Sequence, residues 1–370
     1  MATIRVHLPG DSIDRSFEIL CGGGLVHEVG RLLKAEGVRR AVVVSDSAVA
    51  CSHGAAVTAG ITAAGIVTHE LTIPAGEASK SIGMLGRLWD DLAGLAVDRG
   101  THVVAVGGGV VGDLTGFAAA TFARGLPVWQ VPTTLVAQVD SAIGGKTGIN
   151  LAGGKNLVGA FWQPRGVVAD IDTLGTLPER EYRSGLAEVV KYGMILDPDF
   201  FRWLEQEAPS LLARNSAALA HAVERSARLK AGVVEQDERE VSGQRAALNY
   251  GHTFAHAYET ATGYGRLLHG EAVAIGMARA ARLAASLGRI DADVVERQDH
   301  LLERLGLPVS PAGLDLPVEA LDPDRLVEIM RRDKKAAGGR LRFVLPSRIG
   351  HVDLVAGVDL PLVRQILAAS

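Results

Sequence analysis

One glutamate and three histidines carry the first chemical suggestion in this chain of 370 residues. Glu188 and Lys191 stand three residues apart in SGLAEVVKYG, a spacing that puts both on one face of a helix. LNYGHTFAHAYE sets His252 and His256 four apart, again on one face, and His269 follows in LLHGEAVA. A carboxylate with two imidazoles makes an open zinc-type shell that leaves a position for a substrate oxygen. Thr253 follows His252, so the HExxH pattern of a zincin protease is absent. Any one of these histidines could serve structure alone; three in one short stretch, beside Arg245 and Asn249, favour a metal.

A second group is cationic. Residues 131–163 read VPTTLVAQVDSAIGGKTGINLAGGKNLVGAFWQ, which places Lys146 and Lys155 among glycines with Asp140 and Asn156 beside them. Glycines permit close backbone approach, and ammonium groups neutralise phosphate or carboxylate oxygens. GGKT is not a P-loop, because Asp140 stands where that motif needs its first glycine. Small and apolar neighbours suggest that both lysines are set into the protein rather than waving in a loop. Arg124, in TFARG, adds a third cation. Lys230, in ARLKAGVVEQDERE, and the pair Lys334 and Lys335, in RRDKK, read on their own as solvated helix faces.

A third group could hold a nucleotide. THVVAVGGGVVGDLTG, residues 101–116, runs a buried strand into glycines and then a helix. Gly107, Gly109 and Gly112 match G-x-G-x-x-G, a turn whose amides and helix N-terminus can meet a pyrophosphate. The turn does not follow the first strand, and no acidic ribose partner lies at the usual distance. Asp46, closing the strand AVVVSD, could grip a ribose hydroxyl or simply cap the next helical turn.

These groups need elements to position them. Ala41 to Ser45, Thr101 to Val106, Val128 to Val131 and Gly166 to Asp170 are short β-branched runs between helical stretches. That alternation predicts an α/β first half with a mostly parallel sheet. Beyond about Pro178 the strands give way to amphipathic stretches such as Leu211 to Val234 and Ala272 to Leu287, with one late hairpin in Gly339 to Leu354. The expected division is a nucleotide-binding domain over 1–177 and a mainly helical metal- and substrate-binding domain over 178–370.

Composition limits the function classes. The chain is 48% hydrophobic and 22% charged, so it can bury a sizeable core. A net charge of -4 argues against a general nucleic-acid binder. Two cysteines, Cys21 and Cys51, give no disulfide framework and fit a reducing cytoplasm. No signal peptide or membrane-spanning run is evident.

Taken together, GGGVVGDLTGFAAATFARG, the lysine block, SGLAEVVKYG, LNYGHTFAHA, LHGEAVAIGM and RDKK closely resemble the 3-dehydroquinate synthase family of sugar phosphate cyclases, colinearly over roughly residues 40–350. The resemblance implies a Rossmann-like NAD domain joined to a helical metal domain, in a homodimer. It implies conversion of 3-deoxy-D-arabino-heptulosonate 7-phosphate to 3-dehydroquinate and phosphate, within the shikimate pathway. The route would be transient oxidation by NAD, phosphate elimination, re-reduction and an intramolecular aldol closure. It implies that Glu188, His252 and His269 hold zinc or cobalt. NAD would meet Asp46, Glu77, Lys80, Gly109, Val110, Val111, Gly112, Asp113, Thr133, Thr134, Lys146, Lys155, and the loop Thr173, Leu174, Gly175 and Thr176. The substrate would meet Arg124, Asp140, Lys146, Lys155, Asn156, Lys191, Lys230, Arg245, Asn249 and His256, with Lys334 or Lys335. Of these, Lys146, Lys191, Lys230, Arg245, Asn249 and His256 would take part in catalysis.

The sequence departs from the family pattern in three places: Ala255 for a glycine, Phe122-Ala123 for Tyr-Met, and Arg266-Leu267-Leu268 before His269. The nearest alternatives are a cyclase acting on an amino analogue or on sedoheptulose 7-phosphate. A metal-dependent polyol dehydrogenase is more distant, and would have no use for so many phosphate-binding cations. A catalytically dead scaffold paralogue is disfavoured because all three metal ligands are present.

Overall fold

The computed structural model describes residues 1–8, 14–241, 243–263, 265–335 and 341–369, with the side chains of 333–335 left out. Two compact units emerge: residues 1–178 with 219–239, and residues 179–218 with 240–370.

The first unit is built on a seven-stranded sheet. Its strands are β1 (Ala2–Val6), β2 (Phe17–Gly22), β3 (Arg40–Asp46), β4 (Val67–Ile73), β5 (His102–Gly107), β6 (Val128–Pro132) and β9 (Gly166–Asp170). They lie in the order β1-β2-β9-β6-β5-β3-β4. All neighbours pair in parallel except the edge strand β1, which runs antiparallel to β2. The helices are α1 (Val29–Ala35), α2 (Ala55–Ala63), α3 (Ile82–Gly94) and α4 (Gly109–Thr121). Alternate residues of one strand feed two cores. Val43, Val104 and Val106 pack with Val29, Leu33, Val57 and Ile61. Val42, Val44, Val103 and Ala105 pack with Leu85, Leu88, Val111 and Leu114. A strand buried on both faces must be apolar at every position, which is why these runs show no alternation in sequence.

The four strands read from the sequence are present. Three more strands of the sheet are β1, β2 and β4; β1 and β4 mix polar, exposed positions with buried ones, and β2 has only a short buried run, Ile19 to Cys21, after the exposed Glu18. The lysine block is a separate hairpin of β7 (Lys146–Leu151) and β8 (Gly154–Phe161).

The second unit contains α5 (Glu179–Leu196), α6 (Pro198–Leu212), and, beyond α7 (Ser216–Gln236), α8 (His252–Thr262), α9 (His269–Ser286), α10 (Ala292–Arg304), α11 (Pro323–Lys335) and α12 (Leu360–Ala368). The late hairpin is β10 (Arg342–Arg348) and β11 (His351–Ala356). The helical stretch expected from Leu211 to Val234 is broken. Arg214 takes a left-handed φ of 52°, and Asn215 Oδ1 accepts the amides of Ala217 and Ala218 at 3.1 Å each, starting α7 afresh.

From Leu219 onward α7 groups with the first unit, not with the rest of the second half. Polar ties explain this. Arg15 makes a forked pair with Glu238 at 3.0 and 2.7 Å, and the His7 amide donates to Glu235 Oε1 at 2.7 Å. Lys230 Nζ donates to the Asp140 carbonyl at 2.6 Å.

Candidate metal centre and nucleotide-binding edge

On α5, Glu188 and Lys191 are 0% and 1% exposed, and the Lys191 ammonium pairs with Glu188 Oε2. Glu188 Oε1 lies 3.5 Å from His269 Nε2 and 3.7 Å from His252 Nε2. One potential ligand atom from each of the three residues falls within 4.8 Å of the other two. Ligands about 2.0–2.2 Å from a tetrahedral zinc ion sit roughly 3.4 Å apart, so the spacing and the donor set fit one divalent ion.

Local structure sets this convergence. His252 and His269 are the first residues of α8 and α9. α9 can approach α5 only because residue 270 is glycine: a Cβ there would stand 1.8 Å from the Ser184 carbonyl oxygen. The Gly270 amide donates to Ser184 Oγ at 3.0 Å instead, one turn before Glu188. Gly276 does the same toward α8, where a Cβ would lie 2.2 Å from Gly251 O. Glu271 accepts the Leu268 amide at 2.8 Å and is clamped by Arg180 at 2.7 and 2.8 Å. Thus the unusual Arg266-Leu267-Leu268 stretch is anchored, with Leu267 buried and the Arg266 carbonyl accepting from Arg180. Ala255 is fully buried without disturbing α8.

Burial, with the Lys191 charge beside it, pushes His252 down to about 3, leaving a neutral ring. Its Nδ1 donates to Tyr250 O at 3.1 Å. Burial also acts to lower His269, but hydrogen bonds to Glu188 and Glu259 outweigh it and raise His269 to about 10. A divalent cation held by the same atoms would take the place of that proton.

His256 is exposed, one turn along α8, with its ring 5.6 Å from that of His252. Arg245 is 2% exposed and Asn249 exposed, both in the short helical segment Gln244–Asn249. Lys334 and Lys335 end α11, but their side chains lie outside the described residues.

In the first unit the candidate nucleotide contacts sit at the carboxyl ends of four adjacent parallel strands. Asp46 ends β3, Gly109 to Asp113 open α4 after β5, Thr133 and Thr134 follow β6, and Thr173 to Thr176 follow β9. The chain leaves β3 toward β4 on one side and β5 lies on the other, so Asp46 and the glycine turn flank a topological switch point. This resolves the objection that the turn does not follow the first strand. Gly108 caps α4 with no side-chain hydrogen bond to the first-turn amides, the arrangement an anion-binding helix start needs. Asp46 Oδ1 accepts the amides of Ala48 and Val49 at 2.9 and 3.3 Å, so of its two expected roles the structure displays the local one, closing the turn after β3.

Lys80, 5% exposed, joins Asp113 Oδ2 at 2.7 Å and Asn156 Oδ1 at 2.5 Å. Burial raises Asp113, and the Lys80 charge works against that rise. Asn150 Nδ2 donates to Glu77 Oε1 at 2.8 Å, while Asn150 Oδ1 accepts the Asn156 amide at 2.9 Å. One network therefore ties Glu77, Lys80 and Asp113 to the β7–β8 hairpin. Lys146 is exposed and Lys155 half-buried on that hairpin, so the expectation that both are enclosed does not hold for Lys146. A two-stranded hairpin leaves one face open, and local composition cannot reveal which face a strand residue takes. Lys230, 5% exposed, pairs with the Asp140 carboxylate. Arg124 is exposed with a left-handed φ of 65°.

Sequence reasoning missed Glu259, Glu271, Asn150 and the two close-approach glycines. Glu259 had a signal, since it lies seven residues after His252 and so on the same helical face. The others depend on contacts between distant segments.

Residues 70–184 match the family model for the 3-dehydroquinate synthase N-terminal region, and residues 185–336 match that for its C-terminal region. The chain belongs to the 3-dehydroquinate synthase family. The 3-dehydroquinate synthase of Laribacter hongkongensis is 48% identical over 368 residues, covering 99% of this chain and 98% of that protein. Among solved structures, a 2-deoxy-scyllo-inosose synthase complexed with carbaglucose-6-phosphate, NAD+ and Co2+ matches with a TM-score of 0.87 at 29% identity, covering 99% of both chains. A 2-epi-5-epi-valiolone synthase from Streptomyces hygroscopicus, with NAD+ and Zn2+ bound, matches at 0.87 and 27%, covering 98% of both.

Proposed function

We propose that this chain is a 3-dehydroquinate synthase that converts 3-deoxy-D-arabino-heptulosonate 7-phosphate to 3-dehydroquinate and phosphate, a carbon–oxygen lyase of the shikimate pathway. The observation that carries the reading is the 48% identity to a relative of that name across 99% of the chain. The buried Glu188, His252 and His269 cluster gives it chemical substance.

When bound, NAD would supply a reversible hydride acceptor and zinc or cobalt a Lewis acid for the alcohol being oxidised. Glu188, His252 and His269 would hold the metal, with Lys191 paired to Glu188 Oε2. The strand-end residues Asp46, Gly109 to Asp113, Thr133, Thr134 and Thr173 to Thr176, with Glu77 and Lys80, would bind NAD. By likeness to the family, Arg124, Lys146, Lys155, Asn156, Lys191, Lys230, Arg245, Asn249 and His256 would hold substrate anions and hydroxyls. A substrate with a phosphate at one end and a carboxylate at the other needs cations of this number to be fixed for reaction. Lys230 would be aimed by Asp140. We assign a homodimeric, cytoplasmic state to the enzyme by likeness to the family; among the described residues no helix is long and apolar enough to cross a membrane.

A substrate panel tests the assignment. The heptulosonate phosphate should turn over at least tenfold faster than its amino analogue or sedoheptulose 7-phosphate, a difference of about 1.4 kcal/mol in the barrier. Preference for either competitor would move the enzyme to another branch of the cyclases.

A further inference from the structure

Both imidazoles at the metal centre turn Nε2 toward Glu188, so each ring is fixed by what its Nδ1 meets. The two partners differ in kind. His252 Nδ1 meets a neutral backbone carbonyl, Tyr250 O at 3.1 Å, supplied from two residues away. His269 Nδ1 meets a carboxylate, Glu259 Oε1 at 3.4 Å, supplied from another helix. Glu259 is only 4% exposed, and desolvating a carboxylate costs several kcal/mol unless its surroundings compensate.

The His269 side chain is 37% exposed against 12% for His252. An open ring at a helix start has more rotamers to lose and more water to bond with, so it needs a stronger anchor. His252 is the more enclosed and is met by its own chain. His269 is more open, packs edge-on to His252 with ring centroids 5.4 Å apart, and takes its Nδ1 partner from another helix.

We propose that Glu259 is a positioning residue for metal binding, locking His269 with its proton on Nδ1 and its Nε2 lone pair directed at the ion. Its negative charge makes the imidazole a stronger donor, and it adds a second buried carboxylate against the combined charge of Lys191 and a divalent ion. Outer-shell carboxylates of this type typically account for 10- to 100-fold in metal affinity. The proposal rests on the metal reading given under Proposed function. Nothing in it requires Glu259 to touch substrate or nucleotide.

Two variants separate charge from shape. Glu259→Gln keeps the length and an oxygen that can accept the Nδ1 proton but removes the charge; Glu259→Leu removes both. Zn2+ and Co2+ affinities of the metal-stripped proteins are measured by chelator competition, with the Co2+ visible spectrum and thermal unfolding alongside. Glu259→Gln should bind both ions roughly tenfold more weakly and Glu259→Leu up to about 100-fold more weakly. The Co2+ spectrum should change in the leucine variant and recover toward wild type in the glutamine variant. Should the leucine variant fail to fold, the glutamine variant decides alone. Wild-type affinity and spectrum in a folded Glu259→Gln would overturn the proposal while leaving the metal centre intact. If the wild-type protein itself binds neither ion, the metal reading fails first and the role of Glu259 falls with it.

Discussion

At the candidate metal centre, Glu188, Lys191, His252 and His269 converge within a few ångströms on three helices. At the carboxyl edge of the sheet, the candidate NAD contacts are spread over four strand ends and offer mainly amides and hydroxyls, with two carboxylates, Asp46 and the Lys80-bridged Asp113. The first arrangement concentrates function in single side chains. The second distributes it over backbone geometry. Single substitutions should therefore act almost all-or-none at the centre and in graded fashion at the edge.

The largest effect should come from the proposed metal ligands. Glu188→Ala or His269→Ala should strip the metal and lower kcat by more than the roughly 100-fold typical of an outer-shell change, with the protein still folded and NAD affinity unaltered. Metal analysis and steady-state kinetics check this, and near-normal turnover in His269→Ala would remove that residue from the centre.

Gly270→Ala should be next. The added methyl group must displace the Ser184 carbonyl or separate α9 from α5, costing about 1–3 kcal/mol or more and loosening metal binding. Gly86→Ala is the contrast: within α3 a Cβ would meet nothing within 4 Å, so stability should rise by up to about 1 kcal/mol. Denaturant titration of the pair decides; equal effects would contradict the close-packing account.

At the sheet edge, Lys80→Met should weaken NAD binding by about 1–3 kcal/mol, because Asp113 loses its partner in a buried setting. Metal content should not move. A parallel loss of metal would show that the two regions are not independent.

The smallest effect concerns pH. Burial holds His102 down to about 4, against an ordinary value of 6.5, and its Nδ1 accepts from Trp129 Nε1 at 3.1 Å. An unfolded chain takes up a proton below 6.5 that the folded sheet refuses. Stability should thus fall as pH drops from 6.5 toward 4, and His102→Gln should flatten that slope. Melting curves across this range test it, and an unchanged slope would assign the acid sensitivity elsewhere.

How much was legible follows the same division. A metal was suggested by three imidazoles in one short stretch, and the trio Glu188, His252 and His269 by the family resemblance; helical spacing by itself pairs only Glu188 with Lys191 and His252 with His256. The buried strands β3, β5, β6 and β9 could be read because strands covered on both faces need continuous apolar runs. Edge strands such as β1 and β4 were not legible, since half-exposure dilutes their pattern. Nor was the break at Arg214, which turns on one left-handed residue and an asparagine cap. Asn150, Glu271 and Gly270 were hidden for another reason: each acts on a segment far away in sequence. The return of residues 219–239 to the first unit likewise depends on Arg15, Glu235, Glu238 and Asp140 meeting across long separations.

The most direct test of the function tracks inorganic phosphate and NADH together as the enzyme, supplied with NAD and zinc or cobalt, consumes the heptulosonate phosphate. Phosphate should be released in step with substrate while NADH absorbance stays flat, and EDTA should stop the release. NADH accumulating with turnover, or phosphate release indifferent to EDTA, would contradict an internal, metal-dependent redox cycle.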